Sequence, residues 1–262
     1  MLVYYNNSLV PSATIGASTS AALYGKGVFT TVRICDGDPF LWPKHWWRLR
    51  ESSEKLGISL EGVAEDETHQ ALGELIRSNG ITNGRARLTF FDESESVLWA
   101  THLKPGVSLL IMTAALVPHS NAFRLTLSPY PISSRSPLIG IKSCNYLDKL
   151  MTKREAKDRG FDECVQLNER GDVVSASMAN IFWLRDGQLF TPSLATGCLP
   201  GTTREFILEN VNCEEVEADI DTLRTADEIF LTSAGLGVVQ VQEFDDRSFA
   251  QEPHEITRLV PG

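Results

Sequence analysis

The chain has 262 residues, enough for one large or two medium domains with a sizeable core. Its 24 basic and 34 acidic residues give a net charge of −10, which argues against a general nucleic-acid binder. Its five cysteines are scattered with no C-x-x-C pair, so neither a disulfide framework nor a metal site is indicated; no apolar run spans a membrane, no signal peptide opens the chain, and a cytoplasmic protein is expected.

In chain order, residues 2–5 and 9–10 read as short strands around the Asn6-Asn7 turn. Residues 28–35 are a β-rich run closed by the hairpin signal Asp36-Gly37. Gly25-Lys26-Gly27 precedes a strand rather than a helix. That context excludes a dinucleotide or P-loop reading and leaves a tight backbone approach. Helical spacing predicts helices over 45–56, with Gly57 as the stop, and over 65–78. Arg48 is either a solvated helix arginine or one turned inward toward an anion. Strands follow at 86–91, 107–115 and 125–128, so the first half is α+β with antiparallel strands. The Pro/Ser-rich stretch 130–137 is the best linker.

Lys142 stands between that stretch and a helix predicted over 145–157. Leu138, Ile139 and Ile141 predict that it emerges from an apolar strand. A desolvated lysine has a lowered pKa and serves as a nucleophile toward a carbonyl, although a solvated lysine is the commoner case. Further on, strands at 164–168 and 173–174 flank the turn 169–172, and strands at 181–184 and 188–190 flank Asp186-Gly187. A helix begins near Thr202-Thr203, where either an anion site or plain threonine capping fits. A short helical turn at 221–225, a strand at 228–231, the small-residue loop 232–237 and a strand at 238–241 complete the order.

Taken together, these segments resemble the fold-type IV pyridoxal-phosphate-dependent enzymes, which include branched-chain and D-amino-acid aminotransferases and aminodeoxychorismate lyases. The pieces, in order, are Tyr24–Arg33, His45-Trp46-Trp47-Arg48-Leu49, Lys142-Ser143-Cys144-Asn145-Tyr146-Leu147, Lys153-Arg154-Glu155-Ala156, Ala179-Asn180-Ile181-Phe182, Asp186–Pro192, Leu199-Pro200-Gly201-Thr202-Thr203-Arg204 and Ala226-Asp227-Glu228. Each is weak alone, and the ordered set is specific. The resemblance implies an α+β fold: a small N-terminal domain over 1–130, a linker over 131–141, and a larger pseudo-barrel domain over 142–262. It implies pyridoxal 5′-phosphate as cofactor, a small-molecule substrate and a homodimer. Lys142 matches the lysine that bonds to the cofactor and moves the substrate proton. Arg48 matches the phosphate-binding arginine, whose planar fork suits phosphate oxygens. Thr202, Thr203, Ser233 and Ala234 match further phosphate positions, with Ala234 where branched-chain enzymes have threonine. Tyr146 matches the tyrosine beside the ring hydroxyl. Tyr24, Phe29 and Thr31 match pocket-lining positions.

Two departures bear on function. Ser175 stands where the family usually has a glutamate that keeps the cofactor ring nitrogen protonated; a neutral hydroxyl holds that proton less well. Phe91-Asp92-Glu93 stands where many members carry Ser/Thr-Arg-Gly, so a candidate for binding substrate carboxylate is lost. With Phe29-Thr30-Thr31 and Asn180-Ile181-Phe182-Trp183, these features resemble the aminodeoxychorismate lyase branch most. An aminotransferase for a D- or branched-chain amino acid is the alternative. A cofactor-binding protein without turnover comes last, because Lys142 and Arg48 are both kept.

Overall fold

The computed structural model describes residues 1–95, 106–116, 123–251 and 253–261. The chain divides into two units, Met1–Val117 with Ile141–Asn145, and Pro118–Gly140 with Tyr146–Gly262.

The first unit contains β1 (Val3–Tyr5), β2 (Ser8–Val10), α1 (Ser20–Tyr24), β3 (Gly27–Cys35), β4 (Asp38–Pro39), α2 (Trp42–Lys55), α3 (Glu65–Asn79), β5 (Gly84–Asp92) and β6 (Val107–Ala115). The strands form one antiparallel sheet in the order β2-β1-β6-β5-β3-β4. One face, carrying Val28, Val32, Leu88 and Phe90, packs against Trp42, Trp46 and Leu49 of α2 and Leu72, Leu75 and Ile76 of α3. These helix positions recur at the three- and four-residue spacing of one helical face, and burying each large apolar side chain stabilises by roughly 1.5–3 kcal/mol. Helix α2 starts at Trp42, a turn before the expected His45, because Pro43 is tolerated in a first turn whose N–H groups need no helical partner. Asp36 and Gly37, at φ 52° and 90°, make the expected hairpin turn between β3 and β4.

Gly27 is the tight approach the sequence predicts. A Cβ there would lie 2.9 Å from the Phe90 carbonyl oxygen and 3.0 Å from Cys144 Sγ. Along this edge of β3 runs the segment bearing Lys142. Phe29 N donates to Lys142 O at 2.9 Å, Cys144 N donates to Gly27 O at 2.8 Å, and Val28 bridges Ser143.

The second unit contains β7 (Phe123–Leu127), α4 (Leu147–Asp158), β8 (Glu163–Leu167), β9 (Val173–Ala176), β10 (Asn180–Arg185), β11 (Gln188–Pro192), α5 (Thr202–Asn210), β12 (Cys213–Val216), α6 (Asp221–Arg224), β13 (Glu228–Ser233), β14 (Gly237–Phe244), β15 (Arg247–Ser248) and α7 (Ile256–Leu259). Its nine-stranded sheet has the order β12-β11-β10-β13-β14-β7-β8-β9, with β15 on β14. The pairs β11–β12, β14–β7 and β7–β8 are parallel, and the others are antiparallel. Ala176 N donates to Ala179 O at 2.9 Å, so the last strand turns straight into β10 and the sheet curls. Leu125, Val165, Ile181, Trp183, Ile229, Leu231 and Val241 fill its core.

The strand expected to lead into Lys142 does not form. Residues 137–140 are turns, Ile139 N bonds to Ser136 O at 3.0 Å, and Gly140 has φ +71°, so the chain reverses before Lys142. No helix of the described residues is long and apolar enough to cross a membrane.

Candidate active site

In the first unit the candidate residues gather on the two faces of β3. Phe29 and Thr31 alternate with Thr30, so they leave the strand on the opposite face from it. Lys142 Nζ lies 4.6 Å from the centroid of the Phe29 ring, and Arg87 Cζ lies 3.6 Å from the same centroid. Thr31 is half-buried and directly opposite Arg87 in the β3–β5 pairing, which puts their side chains on one face. Arg87 is half-buried, its Nε donates to Thr89 Oγ1 at 3.2 Å, and it pairs with no acidic side chain among the described residues. Cys144 sits beside Arg87, and burial pushes its thiol pKa up while the guanidinium pulls the other way. Tyr24 occupies the exposed end of α1.

On the other face, Arg48 is buried rather than solvated. It is 8% exposed, and its Nη2 donates to Thr30 Oγ1 at 2.7 Å. His45, one turn earlier on α2, contacts the same hydroxyl through Nδ1 at 2.7 Å. Burial, then the charges of Arg48 and Lys142, holds the His45 pKa well below its ordinary value. Asp92 is engaged elsewhere. Burial works to raise its pKa, but bonds from Lys26, 2.6 Å away, and from Ser94 hold it below the usual range.

In the second unit, Thr202 and Thr203 open α5 and are buried. They are not caps. The cap is Gly201, which has no side chain to bond the first-turn N–H groups. A Cβ at Gly201 would run into Asn180 Oδ1, so a larger residue there would displace the Asn180 amide. Asn180 Nδ2 donates to Leu199 O at 2.9 Å and holds the loop before the helix. Asn180 also stands opposite Thr232 on β13, whose buried hydroxyl makes no hydrogen bond among the described residues. Ser233 follows, its Oγ accepting from Leu236 N at 3.1 Å, and half-buried Ala234 is next. An uncapped helix start beside an unsatisfied hydroxyl is a donor-rich cradle for an anion such as phosphate. Ser175, 8% exposed on β9, stands opposite Gln166. Tyr146 is the half-buried residue preceding α4.

Arg87, Thr30, His45 and Asn180 are the residues whose parts the sequence did not reveal. Thr30, His45 and Asn180 were visible only as letters within longer motifs. Arg87 lies within the strand predicted over 86–91 and carries no signal of its own there.

A family profile described as amino-transferase class IV matches residues 27–244. Aminodeoxychorismate lyase of Bacillus subtilis (strain 168) is 29% identical, over 99% of this chain and 92% of that protein. Among solved structures, branched-chain aminotransferase from Thermoproteus uzoniensis with norvaline superposes with a TM-score of 0.88 at 26% identity, covering 98% of this chain and 91% of that one. A putative 4-amino-4-deoxychorismate lyase from Legionella pneumophila superposes with a TM-score of 0.87 at 25% identity, covering 95% and 94%.

Proposed function

The chain belongs to the class IV aminotransferase family, whose cofactor is pyridoxal 5′-phosphate, and from that premise we propose that it is a lyase splitting 4-amino-4-deoxychorismate into 4-aminobenzoate and pyruvate. The observation that carries this reading is Arg87, a half-buried guanidinium without an acidic partner among the described residues, over the same ring as Lys142. That substrate carries two carboxylates, both away from the carbon that loses its proton. A cation held beside Lys142 suits one of these carboxylates. The lyase of Bacillus subtilis, at 29% identity, also supports the reading.

When bound, the cofactor supplies an electron sink for the carbon bearing the amine. Lys142 holds it and takes the proton from that carbon. The C–O bond on the neighbouring ring carbon breaks, the carboxylated enol leaves to become pyruvate, and the ring becomes aromatic. Arg48 binds phosphate through paired donors, and the start of α5 offers N–H groups for the same chemistry. Ser175 would offer the cofactor a neutral hydroxyl in place of a carboxylate, which would suffice for an elimination driven by aromatisation. Arg87 orients a substrate carboxylate.

A second reading, a branched-chain amino acid aminotransferase, rests on the likeness to the Thermoproteus uzoniensis enzyme. Offering the purified protein aminodeoxychorismate, and separately amino acids with 2-oxoglutarate, distinguishes the two. Pyruvate with 4-aminobenzoate supports the lyase, and glutamate formation alone overturns it. Borohydride reduction of the yellow holoenzyme should place the label on the Lys142 peptide.

A homodimer is part of this proposal. Leu147, Leu150 and Met151 of α4, at 68, 54 and 59% exposure, form one apolar stripe at helical spacing, suited to a second copy.

A further inference from the structure

Three polar side chains in the first unit form a row whose order is fixed by which atoms can donate. The Thr30 hydroxyl is fully buried and lies 2.7 Å from both Arg48 Nη2 and His45 Nδ1. A guanidinium only donates, so the Thr30 oxygen accepts from Arg48. The oxygen has a second lone pair, but its hydrogen has no other acceptor among the described residues than Nδ1 of His45, and is directed there. The imidazole accepts at Nδ1 and carries its own hydrogen on Nε2, which is one neutral tautomer.

His45 is itself 1% exposed. Among the described residues the charged groups that act on it are Arg48 on its own helix and Lys142 on the segment beside β3, and both oppose a third positive charge there. A protonated ring would place a hydrogen on Nδ1. Two donors would then meet the one hydroxyl oxygen, and the Thr30 hydrogen would lose its acceptor.

We propose that His45 is a positioning residue: as a neutral acceptor it orients the Thr30 hydroxyl, and through that hydroxyl fixes the guanidinium of Arg48 toward its anion. The inference rests on the reading that Arg48 holds the cofactor phosphate. Histidine suits the task because its ring is rigid and brings no charge of its own at neutral pH. A carboxylate in its place would pair with Arg48 directly and compete with the phosphate.

The test compares ligands with and without phosphate. The cofactor-free protein is titrated with pyridoxal phosphate and with pyridoxal, and the ratio of the two affinities isolates the phosphate contacts. Thr30→Val keeps the side-chain shape and removes the hydroxyl, whereas Thr30→Ser keeps the hydroxyl. The ratio should fall at least about tenfold in Thr30→Val and in His45→Phe, and return to within about threefold of the parent in Thr30→Ser. Long-range ¹H–¹⁵N spectra of the histidine side chains should show His45 as the neutral Nε2–H form from pH 8 to pH 5. An Nδ1–H or charged ring overturns the proposal whatever the protein binds. An unchanged ratio in a folded Thr30→Val also overturns it. A parent protein that binds neither ligand overturns the cofactor reading itself, which keeps the two failures apart.

Discussion

Gln166 stands directly opposite Ser175 in the β8–β9 pair, so the two side chains share one face of the sheet. Gln166 Oε1 in turn accepts a hydrogen bond from Lys149 Nζ at 2.9 Å. Burial lowers the Lys149 pKa while Asp148 and Glu163 act to raise it, and the residue directly opposite Ser175 is a neutral amide. Ser175→Glu should therefore introduce a negative charge opposite that amide. With cofactor bound, conversion of amino acids to their oxo acids should rise relative to pyruvate release. An unchanged product ratio in a variant that still binds cofactor would remove Ser175 from the account of the chemistry.

Arg87→Leu should cut kcat/KM for aminodeoxychorismate by about 10–100-fold, the loss of one charge-assisted interaction of roughly 1.5–3 kcal/mol. Steady-state kinetics check this. The loss should appear mainly in KM, and borohydride labelling at Lys142 should persist. Unchanged kinetics would make Arg87 a cation merely stacked on Phe29.

Glu163 predicts a stability effect. It is wholly buried, and its Oε2 accepts from Ser177 Oγ at 2.6 Å and from the N–H groups of Ser177 and Cys164 at 3.1 Å each. Lys153 Nζ lies 3.3 Å from its other oxygen. Glu163→Ala strands these donors in the core and should cost about 3–5 kcal/mol in urea unfolding. Glu163→Gln, which keeps two acceptor lone pairs, should lose less.

Glu169 predicts a pH effect on the loop at Ser134. Bonds from Ser134 Oγ at 2.6 Å and Ser134 N at 2.8 Å lower the Glu169 pKa from 4.5 to about 2. A carboxylate whose folded pKa is depressed stabilises fully above its unfolded pKa. That contribution fades as pH falls from 4.5 and is gone below about 2. Amide exchange at Ser134, corrected for intrinsic rates, should speed up across that window in the parent. It should be pH-independent after the same correction in Glu169→Gln, whose amide does not titrate.

Much of the fold is legible in the sequence where the signal is local. Strand β6 spans the residues its β-rich run predicts, and Asp186-Gly187 turns at φ 50° and 76° as a two-residue hairpin requires. Lys142 was found through its neighbours in sequence. What stayed hidden depends on contacts between distant segments. Thr30 acquires its partners only when α2 packs on β3, and Arg87 acquires Phe29 only when β5 pairs with β3. The false strand before Lys142 has the opposite cause. Its apolar residues looked like a strand, but the serine- and glycine-directed turns at 136 and 140 decide the backbone.

The position of β14 has a consequence for synthesis on the ribosome. In the ladder of the described strands it stands between β12-β11-β10-β13 and β7-β8-β9, pairing with β13 on one side and β7 on the other. Strand β7 therefore waits for a partner made more than a hundred residues later, a long-range closure of the slow kind. A nascent chain stalled before Gly237 holds two half-sheets with open edges on β13 and β7, each a template for a stranger's strand. For this unit the hazardous moment in its life is the interval before residues 237–244 leave the exit tunnel.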